Sequence, residues 1–345
     1  MWDGFITVLS TVIVFGLLVF IHEFGHFLTA RLCGVGIKEF AVGMGPKLFS
    51  WKSKKYDTQY GVRILPIGGF VSMVGEDEAS DDQCAFCNKS IWKRMAIVLA
   101  GPFMNLLLGF LLMTIIVFSQ SVLASTTVAQ FGEGAVSDEY LQVGDKIIAV
   151  DGVPVFTGND AAYEIMNQGY EPIDITVKRN GEKIKLKDVT FGSFTEEGVT
   201  FGDYDFKFLS EAKTFPNLLK HSFWRSVSTV KMVVDSVVSL ITGRYGLEAV
   251  SGPVGVAEVV GDAARGGLIN LLYIVTVLSI NLGIFNLIPF PALDGGRFLF
   301  LIIEAISRKP IKKEVESYIN FIGISILFAV MIFIMGKDII KLFRR

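Results

Sequence analysis

Within one helical turn the chain reads His22-Glu23-Phe24-Gly25-His26, two imidazoles and a carboxylate at the spacing HExxH. On a helix the two histidines fall on the same face and can reach one metal ion. Glu23 lies about 100° round, beside the metal rather than on it, where a general base belongs. The motif alone arises by chance, and in a soluble chain it would describe a core helix whose histidines pack and hydrogen-bond. Its setting changes that weight. The run 5–32 is apolar and exceeds the roughly 20 residues a helix needs to cross a bilayer. Ionisable groups are costly there and lipid offers no water to satisfy them, so they read as a working site.

A metal held by two histidines needs a third protein ligand and an open position for water. The best candidate lies in Asn286-Leu287-Ile288-Pro289-Phe290-Pro291-Ala292-Leu293-Asp294-Gly295-Gly296. A helix starting near Leu268 should break at Pro289 and Pro291, where the backbone loses donors. Asp294 follows the break, and two glycines allow a tight approach to the first helix. A carboxylate at membrane depth in broken helix needs a metal or a water-filled cavity. Taken alone, Asp-Gly-Gly is only a turn. Its value lies in coinciding with a proline-broken span in a chain that also carries HExxH.

The elements that must position these groups follow from composition. Of 345 residues, 51% are hydrophobic, and the 19% that are charged cluster in blocks between apolar stretches. Mean hydropathy is +0.52. This is a polytopic α-helical membrane protein with a polar insert, and a net charge of -2 gives no sign of a nucleic-acid partner. Four spans are expected, at 5–32, 95–122, 268–288 and 318–335. The first begins Met1-Trp2-Asp3-Gly4 without a basic segment, which predicts a retained helix and not a cleaved signal. Lysine and arginine concentrate in loops 33–94 (Lys38, Lys47, Lys52, Lys54, Lys55, Arg63, Lys89, Lys93, Arg94) and 297–317 (Arg297, Arg308, Lys309, Lys312, Lys313), so both should be cytoplasmic. Both termini and the insert then lie outside, although Lys337, Lys341, Arg344 and Arg345 argue mildly the other way for the last span. Cys33, Cys84 and Cys87 read as reduced cytosolic thiols, the single CxxC pair being a weak metal or redox signal.

Between the first two spans, residues 36–75 alternate apolar with polar or small residues around a basic turn at 52–57, the pattern of strands joined by a hairpin. Residues 65–70 add a proline with Gly68 and Gly69, which suit an edge strand or one close to another backbone. Such a hairpin dips into the bilayer where protein covers its backbone, and could offer an edge to an extended peptide; a plain cytosolic hairpin is the alternative. The division expected is a membrane core over 1–125, a soluble domain over 126–210, an amphipathic helix and linker over 211–260, and a C-terminal membrane core over 261–345. In the soluble part, Gly144-Asp145 and Asp151-Gly152 turns bracket a buried strand, a short helix covers 161–168, and a strand pair turns at Asn180-Gly181. This order resembles a PDZ domain of the bacterial kind. The helical pattern over 216–242 fits an interfacial helix on the outer membrane surface, or packing against the insert.

With both halves of the site in hand, the chain resembles the intramembrane site-2 metalloproteases, within them the RseP-like group, over nearly its whole length. HExxH in the first span, the PDZ-like insert and Asn-x-x-Pro-x-Pro-x-Leu-Asp-Gly in the third span occur in the family's order. Gly101-Pro102-Phe103-Met104-Asn105 is similar to its GPxxN element, and 65–70 to its strand motif. Some RseP-like enzymes carry two tandem PDZ domains; this insert has room for one. The resemblance implies one Zn2+ per chain bound by His22, His26 and Asp294, with Glu23 as base. It implies that Asn286, and with it Asn105, holds substrate or steadies the site. Substrates would be single-span proteins already trimmed outside, such as anti-sigma factors or remnant signal peptides. The location would be the bacterial cytoplasmic membrane, with the PDZ-like domain extracytoplasmic and either binding peptide or gating access. Two other classes remain open: a membrane adaptor, which would not need Glu23, and a zinc carrier, which would want a longer string of intramembrane acids.

Overall fold

The computed structural model describes residues 2–54, 57–76, 78, 80–196, 198–246 and 250–343. Lys55 in the basic turn, and Arg344 and Arg345 at the C-terminus, lie outside these residues. In chain order the elements are α1 (Trp2–Leu32), β1 (Ile37–Lys52), β2 (Gln59–Met73), α2 (Ile91–Ser119), β3 (Leu123–Phe131), β4 (Lys146–Val150), β5 (Val153–Pro154) and α3 (Gly158–Gln168). There follow β6 (Ile173–Arg179), β7 (Glu182–Val189), β8 (Gly192–Glu196), β9 (Val199–Asp203), β10 (Phe206–Glu211), α4 (Phe215–Ile241), α5 (Pro253–Arg265), α6 (Leu268–Leu287), α7 (Asp294–Ser307) and α8 (Lys313–Phe343). They form two compact units, Met1–Gly109 with Ser251–Arg345, and Phe110–Val250.

Among the described residues four helices are long and apolar enough to cross a membrane: Asp3–Leu32, Ile91–Ser119, Leu268–Leu287 and Lys313–Asp338. Two expectations shift. The second span ends at Ser119, because Leu123 is already the buried first residue of β3. The stretch 297–317, expected as a loop, is largely α7. At 14 residues it is too short to span, and it buries Leu301, with Phe298 and Ile302 beside it, in a cluster with Phe27, Phe40, Met95 and Ile97.

In the first unit, β1 and β2 pair antiparallel with repeated register shifts. Residues 39–42 face 69–72 on one side and 59–62 on the other. The segment 69–73 is thereby laid along α1. In the same unit, the Asp338 carboxylate of α8 accepts from the N–H groups of Gly252 (2.9 Å) and Gly255 (3.0 Å), capping α5. Arg265 of α5 in turn donates to Thr7 Oγ1 on α1 at 3.0 Å. Helix α5 thus links the end of α8, at its own start, to the start of α1, at its own last turn.

In the second unit the sheet order is β10-β3-β4-β6-β7, with β5 on β4; β8 and β9 form a separate hairpin. Its core gathers Val128, Leu141, Ile147, Val150, Ile165, Ile175, Val177 and Val189. Asp151 and Gly152, then Asn180 and Gly181, all have positive φ, as tight hairpin turns require. Thr157 and Asp160 form a reciprocal cap on α3. The three strands after residue 190 were not anticipated from sequence. Helix α4 buries its polar side: Ser228 donates to Asp160 at 2.5 Å, and Lys231 pairs with Glu164 at 2.9 Å. Its apolar side, including Leu219, Phe223, Val227, Val234 and Val238, is exposed.

Candidate metal centre

His22 and His26 project from one face of α1, their ring centroids 4.9 Å apart. A close crossing with α2 admits them. A Cβ on Gly25 would run into the Ala100 carbonyl, and one on Gly101 would lie 2.8 Å from His22 Nε2 and closer still to the His26 ring. Only glycine fits at both. Proline in mid-helix is the other oddity of this stretch, Pro102 lying inside α2.

Asp294 arrives from α7. The chain leaves α6 at Leu287 and passes Pro289 and Pro291, which end the helix as expected but are not among the residues lining the cavity. It then turns through Ala292, whose φ of 74° is left-handed and strained for alanine. Asn320 of α8 holds that turn, its Oδ1 accepting from the Ala292 N–H at 3.1 Å. Asp294 opens the first turn of α7, where the helix dipole favours an anion.

Three donor atoms converge. His22 Nε2 and His26 Nε2 are 3.2 Å apart, and Asp294 Oδ2 lies 3.0 Å from the first and 3.4 Å from the second. Ligands about 2.0–2.1 Å from a tetrahedral zinc ion stand roughly 3.3–3.4 Å from one another, so this set fits such an ion. The ring environments agree. His26 Nδ1 lies 2.8 Å from the Ile97 carbonyl, which can only accept, so the proton sits on Nδ1 and Nε2 keeps its lone pair. His22 Nδ1 lies 3.1 Å from the Asn105 amide, whose Oδ1 is buried without a partner. A half-turn of that amide brings Oδ1 to the ring, where it accepts from Nδ1–H and frees His22 Nε2 for a metal. Asn105 is itself fixed, its carbonyl accepting from Ser279 Oγ of α6 at 2.8 Å.

Glu23 faces the same cavity, about 320 Å³, which is also lined by Val71, Met73, Glu76, Asn286 and Arg297. The Val71 backbone of β2 lies close to its carboxylate. Gly69 brings β2 against α1, since a Cβ there would sit 3.3 Å from Glu23 Cγ and 3.0 Å from the Ala41 carbonyl. Gly68, at φ +84°, packs beside Met44 and is not among the lining residues. Asn286 reaches the cavity wall while its Nδ2 donates back to Leu282 at 2.9 Å. Sequence reasoning missed Ile97, whose role is a backbone carbonyl without any signature. It also missed the Glu76–Arg297 ion pair, whose partners are 221 residues apart.

A helix-borne HExxH, a carboxylate from a distant broken span and a strand edge beside Glu23 define a membrane-embedded metallopeptidase. Comparison with known proteins agrees. Residues 10–330 match peptidase family M50, and the chain belongs to that family of site-2-type metallopeptidases. It is 36% identical over 98% of both chains to a protein of Clostridium acetobutylicum that bears the name of a zinc metalloprotease. It is 30% identical to the regulator of sigma-W protease RasP of Bacillus subtilis, over 98% of this chain and 99% of the other. The zinc metalloprotease RasP of Geobacillus kaustophilus is 31% identical over 98% of each. The chain is a multi-pass membrane metalloprotease.

Proposed function

We propose that this chain is an intramembrane zinc endopeptidase that cuts pre-trimmed single-span membrane proteins, anti-sigma factors and remnant signal peptides among them. The observation that carries the reading is the convergence of His22, His26 and Asp294 within 3.4 Å, with Glu23 in the same cavity. These three residues hold one Zn2+. When bound, zinc supplies a Lewis acid that makes water acidic near neutral pH and polarises a carbonyl. Glu23 takes the proton from the attacking water and delivers it to the departing amine. Asn105 orients His22, and Asn286 at the cavity wall contacts substrate.

A transmembrane helix hides its carbonyls in hydrogen bonds, so the substrate has to be unwound before it is cut. The edge of β2 next to Glu23, with Gly69 allowing the close approach, receives it as an added strand. The domain over 126–210 is PDZ-like, a reading supported by its turns at Asp151-Gly152 and Asn180-Gly181 and by α3 against the sheet. It stands outside the membrane and excludes untrimmed proteins by bulk. The exposed apolar side of α4 suits the outer lipid surface. The basic loops favour 33–94 and 297–317 on the cytoplasmic side.

The test is cleavage of a panel of tagged single-span substrates co-expressed with wild type and with Glu23→Gln. Cleavage that vanishes in the variant and under a zinc chelator is the expected result. Equal cleavage by both removes Glu23 as the base. A purified protein that binds no zinc and cuts nothing favours an adaptor instead.

A further inference from the structure

One edge of β2 is paired and the other faces the cavity. Val74 donates toward β1, to the Gly36 carbonyl at 2.8 Å, so by the two-residue period of a strand the N–H groups of Met73 and Val71 point the other way. One of these outward donors is already taken by a carboxylate: Met73 donates to Glu76 Oε2 at 3.1 Å. Glu23 lines the same cavity beside Val71. A side-chain oxygen thus stands where a carbonyl of an added strand would stand.

Glu23 is there for chemistry; Glu76 is not. Its other carboxylate oxygen is ion-paired to Arg297, three residues beyond Asp294 on α7. Its carbonyl accepts from Lys313 Nζ at 2.6 Å and from Arg297 Nη2 at 3.4 Å. Its side chain is 12% exposed, in the wall of the catalytic cavity. One residue therefore ties the strand edge to α7 and α8 while covering a donor that the strand would otherwise present.

We propose that the Met73 N–H is a subsite for a main-chain carbonyl of the substrate, occupied by Glu76 in the resting protein and vacated when an extended chain arrives. This rests on the zinc-peptidase and strand-addition reading above. The exchange is feasible because Arg297 keeps its partner: Glu76 can release Met73 and stay ion-paired, leaving no uncompensated charge in the cavity. The covered donor lowers the apparent affinity for any chain long enough to need it, and leaves shorter ligands untouched.

The experiment uses purified full-length wild type, Glu76→Ala and Glu76→Gln with two zinc-directed inhibitors. One is a phosphinic pseudopeptide carrying three residues on each side of the phosphinate, the other a truncated form with one residue on each side. Freeing the donor should tighten the extended inhibitor on Glu76→Ala roughly 3- to 10-fold, the range of one net hydrogen bond, with the truncated form unchanged. Deuterium exchange at the Met73 amide should quicken in the variant and slow again with the extended inhibitor. Glu76→Gln, which keeps an acceptor of the same size without the ion pair, should show a smaller gain, and it carries the test if Glu76→Ala loses truncated-inhibitor binding. Extended-inhibitor binding equal to or weaker than wild type, with the truncated form still bound, overturns the subsite. If neither inhibitor binds wild type, the peptidase reading itself fails.

Discussion

Two aspartates, one in each unit, have opposite surroundings. In the second unit Asp145 has a fully buried side chain in a closed arrangement. Arg179 reaches both carboxylate oxygens at 2.7 Å, and the Gln142 N–H adds a third bond at 2.9 Å. In the first unit Asp294 Oδ2 faces two imidazole nitrogens that both have reason to present lone pairs, and the nearby Arg297 is committed to Glu76. A buried carboxylate with its own guanidinium holds a fold together. One aimed at two imidazoles, with the adjacent arginine spent elsewhere, is arranged for a cation from outside. The charge is the same in the two places, with Asp294 21% exposed against 0% for Asp145; what differs most is whether the protein completes the set itself.

The sharpest break of this comparison is Asp294→Asn. It should strip zinc from the purified protein, lowering affinity by more than the ~10²-fold that loss of an outer-shell partner can cost, with melting of the second unit unchanged. Metal content by mass spectrometry and a thermal melt give the two readings. The mirror variant, Asp145→Ala, leaves the partly exposed Arg179 with only the Tyr140 carbonyl and takes the acceptor from the Gln142 N–H. It should destabilise the second unit by about 1–3 kcal/mol while zinc content holds. If Asp145→Ala loses zinc as readily as Asp294→Asn, the distinction collapses.

Asn105→Leu should weaken zinc roughly 10- to 100-fold in a chelator competition, because His22 loses the acceptor that sets its tautomer. Asn105→Asp supplies an acceptor at the same place and should restore most of that affinity, which a purely space-filling role for Asn105 would not predict. The smallest effect is expected at Glu211. Partial burial works to raise its pKa, but hydrogen bonds from His221 at 2.7 Å and Lys220 at 3.2 Å outweigh it and hold the carboxyl below its ordinary value. A depressed carboxyl contributes stability that is full above its unfolded value, near ~4.3, and is lost as pH falls through its folded value. Glu211→Gln should flatten the acid limb of melting below about pH 4, followed through the Phe156–Trp224 stack in which α4 takes part.

Much of the centre was legible because its clues are local. His22, Glu23 and His26 lie within a turn, and an apolar span is a setting in which few residues hide. Asp294 was legible through Pro289 and Pro291, which announce a broken span. The contribution of Asn105 was visible only as part of a motif; its target, His22, lies 83 residues away and depends on how α1 and α2 cross. The strands of 37–73 were readable from alternation, but their doubled pairing was not. Residues 39–42 serve two neighbours, and no period in sequence encodes that. Helix α7 was missed because the basic residues 308–313 that follow it made the whole stretch 297–317 read as loop, whereas Phe298, Leu301 and Ile302 form one apolar face. Of the three added strands, β8 and β9 form a short hairpin dotted with glycines, and β10 pairs far back with β3.

The position of β2 has a mechanical consequence. A chain laid against Val71 and Met73, with a residue or so beyond each, occupies about five residues in extended form, roughly 17 Å at the rise of a strand. The same five residues span only about 7.5 Å as helix. Engagement therefore asks the substrate to lengthen by close to 10 Å while its remaining turns stay in lipid. Only a segment with slack can supply that length, and a protein still anchored by a folded domain outside has little. On the proposed strand addition, the edge would act as a gauge of tension, admitting chains whose earlier trimming has let them go loose.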